Sequence, residues 1–297
     1  MQPGPTARIL MCPPEHFAVS YAINPWMDPT AWSRDGDKFA ALARREWNQL
    51  HHTLRNLGAA IELLPAAPGM PDLVFTANAA VVLDGTVLLS RFRHPERRRE
   101  EPNVEKAFLG LKAHGLVDAI KRLPEGLVLE GAGDCVWDQT RDWFWMGHGP
   151  RSHAGSQKVI EEVFGVEAVP LELADDRFYH VDTALSALPR GEVMYIPQAF
   201  SPAARRAIRA RVPLAQRIEI SGEDANLLAA NAVCIGDTVV MSGCSPKLRG
   251  KLTARGYRVE PTPLRAFLRS GGAAFCLTLR LDWQSAAKRA TADATAA

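Results

Sequence analysis

Five chemically distinctive side chains recur at nearly constant spacing: Asn78, Glu130, His180, Asn231 and Cys276 are separated by 52, 50, 51 and 45 positions. Several sit among apolar neighbours, as in Phe-Thr-Ala-Asn-Ala for Asn78, Phe-Tyr-His-Val-Asp for His180 and Ala-Ala-Phe-Cys-Leu for Cys276. A buried polar side chain costs on the order of 1–3 kcal/mol unless it is paired. Polar residues at equivalent points of successive units are therefore expected to meet, placing Asn78, Glu130, Asp134, His180, Asp182, Asn231 and Cys276 around one cavity. A cysteine with a histidine supplies a nucleophile and an acid/base, and carboxylates gathered beside them are costly unless a cation lies among them. A planar organic cation such as a guanidinium suits fixed carboxylates. A metal suits the set less well, because the His-x-Asp pair and the isolated cysteine lack the paired spacing of a zinc site. No metal and no cofactor are expected.

The elements that must position these residues repeat with them. Thr76 to Ser90 and Ala229 to Ser242 each read as a polar residue, an apolar strand, a tight turn and a second strand, with Asp84-Gly85 and Gly236-Asp237 as turn dipeptides. Trp143 to Met146 after Glu130-Gly-Ala-Gly-Asp134, and Val193 to Ile196 after His180-Val-Asp182, repeat this plan loosely. Ala273 to Leu281 reads as a fifth opening strand. Between hairpins lie helices. Phe39, Leu42, Ala43, Trp47, Leu50, Leu54 and Leu57 share one helical face, and Gly58 precedes a strand from Ala59 to Leu64. Gly115, Gly165 and Gly256 occupy the same place ahead of later strands, where a helix C-cap favours positive φ. Ser201-Pro202 and Ser245-Pro246 pair an N-cap with a first-turn proline.

A period of about 50 residues marks an array of supersecondary units. Such strands cannot cover both of their own faces, so about five units are expected to close into a ring with helices outside. The expected fold class is α/β, a fivefold pseudo-symmetric α/β propeller with ββαβ-type repeats around a central cavity. An all-β propeller of similar period has no room for the helix over 39–57. Residues 1–283 are expected to form a single catalytic domain, and the Ala-rich tail 284–297, without a periodic apolar face, is expected to be frayed or disordered.

Composition excludes other classes. Of the residues, 47% are hydrophobic and 23% charged, which is ordinary for a globular chain. The 35 basic and 33 acidic residues leave a net charge of +2, and the one basic cluster, Arg97-Arg98-Arg99, is flanked by Glu96, Glu100 and Glu101, so nucleic acid is not an expected partner. No apolar run approaches a bilayer span, and Met1 to Arg8 lacks the regions of a signal peptide. The expectation is a cytoplasmic protein with no membrane partner. Five cysteines without Cys-x-x-Cys spacing suggest no disulfide framework, and Cys12, Cys135, Cys234 and Cys244 read as packing residues.

Six segments together carry a family resemblance: Met11-Cys-Pro-Pro-Glu-His16, Ile23-Asn-Pro-Trp-Met-Asp28, Pro71-Asp-Leu-Val-Phe-Thr-Ala-Asn-Ala79, Glu130-Gly-Ala-Gly-Asp134, Phe178-Tyr-His-Val-Asp-Thr183 and Gly271-Gly-Ala-Ala-Phe-Cys-Leu-Thr-Leu279. The chain resembles the guanidino-group-modifying enzymes of the pentein superfamily, within the amidinotransferase and dimethylargininase family, and is most similar to the arginine dihydrolase-like branch. The resemblance covers residues 9–282. It implies a fivefold α/β propeller, a cysteine nucleophile, no metal and a small guanidino substrate. By position, Cys276 resembles the nucleophile and His180 the acid/base, while Glu130, Asp134 and Asp182 match acidic positions that orient the guanidinium or the histidine. Asn24, Asn78, Arg97 and Arg151 match substrate contacts, the arginines suiting an α-carboxylate, and Asn231 joins the substrate-binding candidates through its place in the repeat. The sequence departs from the pattern at two positions: arginine deiminases have an acid where Asn78 stands, and many dihydrolase-like sequences have lysine where Phe275 stands.

The implied reaction is hydrolysis of arginine or a close derivative through a covalent amidino-thioether. Asn78 adds a second round, because its amide can donate a hydrogen bond to a ureido oxygen; two rounds would take arginine to ornithine, carbon dioxide and two ammonia. A dimethylarginine dimethylaminohydrolase, an amidinotransferase and a non-catalytic ring-shaped binding protein are the alternatives, and self-association into a homo-oligomer is left open.

Overall fold

The structure, a computed structural model, describes residues 7–296, so most of the Met1–Arg8 segment read for targeting lies outside the described residues. Five three-stranded sheets share one plan. In each, an opening strand pairs antiparallel with a second strand, a helix follows, and a third strand returns parallel to the second. β3 (Ala80–Leu83), β4 (Thr86–Leu89) and β5 (Ala119–Lys121) make one such sheet, and β6 (Cys135–Asp138), β7 (Trp143–His148) and β8 (Glu167–Glu172) the next. β9 (Leu185–Ala187), β10 (Val193–Tyr195) and β11 (Arg217–Glu219) form the third, and β12 (Val233–Ile235), β13 (Thr238–Met241) and β14 (Arg258–Pro261) the fourth. The fifth joins distant parts of the chain. β15 (Leu279–Arg280) lies antiparallel to β1 (Ala7–Met11), which is parallel to β2 (Ala59–Leu63).

The connecting helices are α1 (Gly36–Asn56), α2 (Glu100–Ala113), α3 (Ser156–Phe164), α4 (Pro202–Arg211) and α5 (Pro246–Thr253). α1 buries Ala43, Trp47, Leu50 and Leu54, the face read from the sequence. Gly58, Gly115, Gly165 and Gly256 all have positive φ, as their place after a helix requires. Ser201 and Ser245 accept hydrogen bonds from the Ala204 and Leu248 amides, as N-caps do. Asp84 and Gly85, at φ 55° and 76°, form a two-residue hairpin turn of the primed kind.

Two expectations are corrected. The segment Ala273–Leu281 is not a continuous strand: only Leu279–Arg280 pairs, and Cys276 stands on a turn ahead of it. The backbone there is committed elsewhere, since Asn231 Oδ1 accepts from both the Ala273 and Cys276 amides, and Thr278 Oγ1 donates to the Ala274 and Phe275 carbonyls. The tail, expected to fray, forms a helix, α6 (Ala286–Ala296). Alanine is the best helix former, and the first turn is anchored, with the Ser285 amide on Asp84 Oδ1, the Ala286 amide on Asp142 Oδ1 and the Lys288 amide on Ser285 Oγ.

The same kind of turn precedes every opening strand, and each carries one of the recurring polar residues. Thr76–Asn78, Gly131–Gly133 and Val181–Thr183 are 3₁₀ turns, and Asn231 and Cys276 close comparable turns in the last two units. The five turns hydrogen-bond in a closed circuit. Asn78 Nδ2 reaches the Glu130 carbonyl, the Val181 amide donates to Asp134, Asn231 Nδ2 donates to the Asp182 carbonyl, the Phe275 amide to the Asn231 carbonyl, and the Ala77 amide to the Cys276 carbonyl. Beyond the turns, along the opening strands, a cavity of about 260 Å³ is lined by residues including Val82, Trp137, Ala232, Phe275 and Trp283. None of the ten site residues read from the sequence lines it. No helix among the described residues is long and apolar enough to cross a membrane.

Candidate active site

Cys276, the candidate nucleophile, is held by its neighbours in the circuit. Cys276 Sγ donates to Asp182 Oδ2 at 3.1 Å and receives Asn231 Nδ2 at 3.1 Å. Asn231 makes four hydrogen bonds, accepting from the Ala273 and Cys276 amides and donating to Cys276 Sγ and the Asp182 carbonyl. That exhausts a primary amide. Expected as a substrate contact, Asn231 instead fixes the turn that carries the sulfur. Burial, reinforced by the adjacent Asp182, raises the Cys276 thiol well above its ordinary pKa, so the free site holds a neutral thiol. Burial likewise pushes the Asp182 carboxyl up to about 7, and its Oδ1 is buried without a hydrogen-bond partner.

Opposite lies a fully buried triad. Glu130 Oε2 is 2.8 Å from both His180 Nε2 and Arg151 NH1, and Glu130 Oε1 accepts from the Arg93 amide. Burial alone would raise the Glu130 carboxyl, but Arg151 and His180 outweigh it and hold it well below the usual carboxylate range. Burial lowers His180 to about 4 against the pull of Glu130. A neutral imidazole bonded to a carboxylate through Nε2 carries its hydrogen there, which leaves the Nδ1 lone pair free to accept a proton. Asn78 Nδ2 lies 3.5 Å from that Nδ1. Gly133 makes room for the pair, since a methyl group added there would sit 2.2 Å from Asn78 Nδ2 and 3.4 Å from His180 Nδ1.

Three other expected contacts hold the frame. Asp134, implied as an orienting acid, spends both oxygens on protein, one on the Val181 amide next to His180 and one on Ser152 Oγ at 2.5 Å, while Ser152 Oγ accepts from the Glu130 amide. It therefore positions the histidine rather than facing a ligand. Arg97 grips Glu100 with Nε and NH2, the Asp72 carbonyl with NH2 and Asn78 Oδ1 with NH1 at 2.8 Å, so at most one of its five hydrogens is left for a carboxylate. Asn24 donates to the Ser270 carbonyl and accepts from the Trp26 amide, which ties the segment from Ile23 to Asp28 across the site. Arg151 keeps an open position. Its NH1 and NH2 hold Glu130 and the Ile23 carbonyl, its guanidinium stacks on Tyr179 at 4.6 Å, and its buried Nε has no partner.

Residue types and spacing do not single out Asp72, Ser152 or Tyr21. Asp72 is buried beneath Arg97 and accepts from Tyr21 and Ser270. It lies inside the Pro71–Ala79 segment, and Ser152 adjoins Arg151, so adjacency to site residues is the signal that could have found them. Phe275 lines the cavity beyond the turns instead of the site. Among the described residues, no three His, Cys, Asp or Glu side chains are grouped to hold a metal ion.

The chain is similar to known proteins over most of its length. The sequence profile of eukaryotic N,N-dimethylarginine dimethylhydrolases matches residues 13–281. The bifunctional arginine dihydrolase/ornithine cyclodeaminase ArgZ of Synechocystis is 42% identical over 274 residues, which is 92% of this chain and 37% of ArgZ, so the chain spans well under half of that relative. The N(G),N(G)-dimethylarginine dimethylaminohydrolase of Mycobacterium tuberculosis is 35% identical over 93% of this chain and 86% of its own length. Among solved structures, the N-terminal domain of cyanobacterial ArgZ, an arginine dihydrolase, superposes with a TM-score of 0.85 at 40% identity, covering 94% of this chain and 99% of that domain. That domain has been solved with substrate, with product and, as a variant, covalently bound to a reaction intermediate.

Proposed function

Since the chain belongs to the dimethylarginine dimethylaminohydrolase family, we propose that it is a thiol hydrolase of the guanidino group of arginine and that it carries the reaction twice, as a dihydrolase. The observation that carries this reading is a pair of buried, unpartnered atoms of opposite character in one site: the Asp182 Oδ1 acceptor beside the cysteine and the Arg151 Nε donor beside Glu130. Buried polar atoms are nearly always paired. A molecule with a guanidinium at one end and a carboxylate at the other satisfies both.

We read the five sheets as blades of a fivefold pseudo-symmetric α/β propeller closed around this site, with residues 1–283 as its catalytic domain. A guanidinium docked on Asp182 brings positive charge next to Sγ, and that charge favours the thiolate which the free site disfavours. The thiolate adds to the guanidinium carbon, His180 protonates the departing ammonia through Nδ1, and an amidino-thioether remains. Water, deprotonated by His180, displaces the thiolate and leaves a ureido product. In a second round the thiolate displaces ammonia from the ureido carbon, and hydrolysis of the resulting thiocarbamate gives a carbamate that loses carbon dioxide to leave ornithine. Asn78 supports this second round because Arg97 holds its Oδ1, which leaves the amide hydrogen not directed at the Glu130 carbonyl on the side of His180 Nδ1, where a ureido oxygen can accept it. The likeness to a domain solved with a covalent intermediate supports the same chemistry.

Mass spectrometry of products from arginine, dimethylarginine and citrulline tests this. Ornithine with two equivalents of ammonia is expected from arginine, with no acceptor amine required, and none from Cys276→Ala. Citrulline as the end product would reduce the reading to a single hydrolysis, and no turnover of any of the three compounds would overturn it.

A further inference from the structure

One oxygen serves two roles in this site. Glu130 Oε2 is held at 2.8 Å by His180 Nε2 and at 2.8 Å by Arg151 NH1. We propose that Arg151 couples recognition of the substrate's carboxylate to the protonation of His180, through the Glu130 oxygen that the two residues share. The inference rests on the reading of the site as one for arginine.

The argument starts from the Arg151 guanidinium. A purely structural arginine, 1% exposed, would be expected to have all of its nitrogens paired. Arg151 has a buried Nε with no partner, and its plane is fixed against Tyr179 and the Ile23 carbonyl, so it is set to receive an acceptor. A carboxylate bound there neutralises the cation that competes with His180 for Glu130.

The charged and titratable groups around His180 give the sign. Glu130, with Arg151 on the same oxygen, faces its Nε2, Arg97 stands behind Asn78 at its Nδ1, Asp134 holds the next amide, Asp182 follows on the same turn and is bonded to Cys276 from the fifth unit, and Tyr179 packs on the ring at 4.8 Å. Arg151 and Arg97 both oppose a charge on His180, whereas Glu130 favours one. Arg97 is already paired with Glu100. Arg151 is therefore the cation that a substrate carboxylate can offset. Binding the carboxylate raises the affinity of His180 for a proton, so the histidine can take up the proton it must deliver to the leaving ammonia. Guanidines without the carboxylate leave it neutral, and the step fails at the acid rather than at binding.

Two measurements test this. In steady-state kinetics, agmatine, which is arginine without its carboxylate, should show a kcat at least about tenfold below that of arginine. The limb on which its kcat falls with rising pH should lie about one unit lower, since one unit is a tenfold change in proton affinity. Acetate added with agmatine should raise its kcat saturably and return the limb toward that of arginine. In Arg151→Gln the two substrates should share one limb. An effect on KM alone, or no response to acetate, would overturn the coupling. The second measurement needs no turnover: in Cys276→Ser protein with 13C-labelled histidine, acetate or arginine should move the His180 titration to higher pH and agmatine should not. An acetate-insensitive titration overturns the coupling whether or not arginine is hydrolysed, and failure of arginine hydrolysis beside a responsive His180 points instead at the assigned activity.

Discussion

Asn78 presents one amide hydrogen to the site, beside the one directed at the Glu130 carbonyl, because Arg97 NH1 claims Oδ1 at 2.8 Å and Arg97 is itself held by the Glu100 carboxylate. An aspartate there keeps the Arg97 contact but puts an acceptor where a donor stood. That still suits a guanidinium and no longer suits a ureido oxygen. Asn78→Asp should therefore let citrulline accumulate from arginine and lower the ornithine yield by at least about tenfold, the scale on which a buried acceptor left without its donor acts; an unchanged yield in single-turnover product analysis would refute the role given to this amide. Residue types and spacing alone make Cys276, His180, Glu130 and Asp182 legible in the sequence. The positions of Asn231 and Asp134 in the circuit are legible there too, but their tasks are not, and Arg97 is marked only by the family resemblance. Whether a polar side chain faces ligand or frame depends on which backbone groups approach it from another unit, and those come from residues 40 or more positions away.

At the scale of elements, what places the chemistry is the turn before each opening strand. Helices with their glycine ends, serine caps and hairpin turns can be read from periodicity and punctuation, and they stand where expected. The fifth opening element cannot, because its apolar run Ala-Ala-Phe-Cys-Leu-Thr-Leu looks like a strand until Asn231 takes two of its amides. The Gly131–Gly133 turn shows how tightly such turns pack. Gly133 does not have positive φ, so alanine suits its backbone, yet a methyl group would overlap Asn78 Nδ2. Gly133→Ala should cost about 1–3 kcal/mol of stability by overpacking and reduce kcat at least about a hundredfold while circular dichroism stays native. A variant with unimpaired kcat would mean that the amide is not needed where it stands.

For the whole molecule, the sheet formed by β15, β1 and β2 is the clasp of the circuit. It pairs Leu10 with Leu279 and Ile9 with Arg280, contacts that are far apart in sequence and therefore slow to form. Cys276 hangs from this clasp three residues before β15, and the four other sheets are built without it. Leu279→Ala, at a site 2% exposed, should cost about 2–4 kcal/mol. Enzyme activity should then disappear several degrees below the loss of bulk far-ultraviolet signal, with the amides of Leu10 and Leu281 exchanging first. Coincident transitions would show that the clasp does not open separately. The same order along the chain bears on translation. A ribosome that has reached Pro261 has supplied every strand of four sheets but not Cys276, so this thiol is synthesised after both the carboxylate of Asp182 and the amide of Asn231 that bond it.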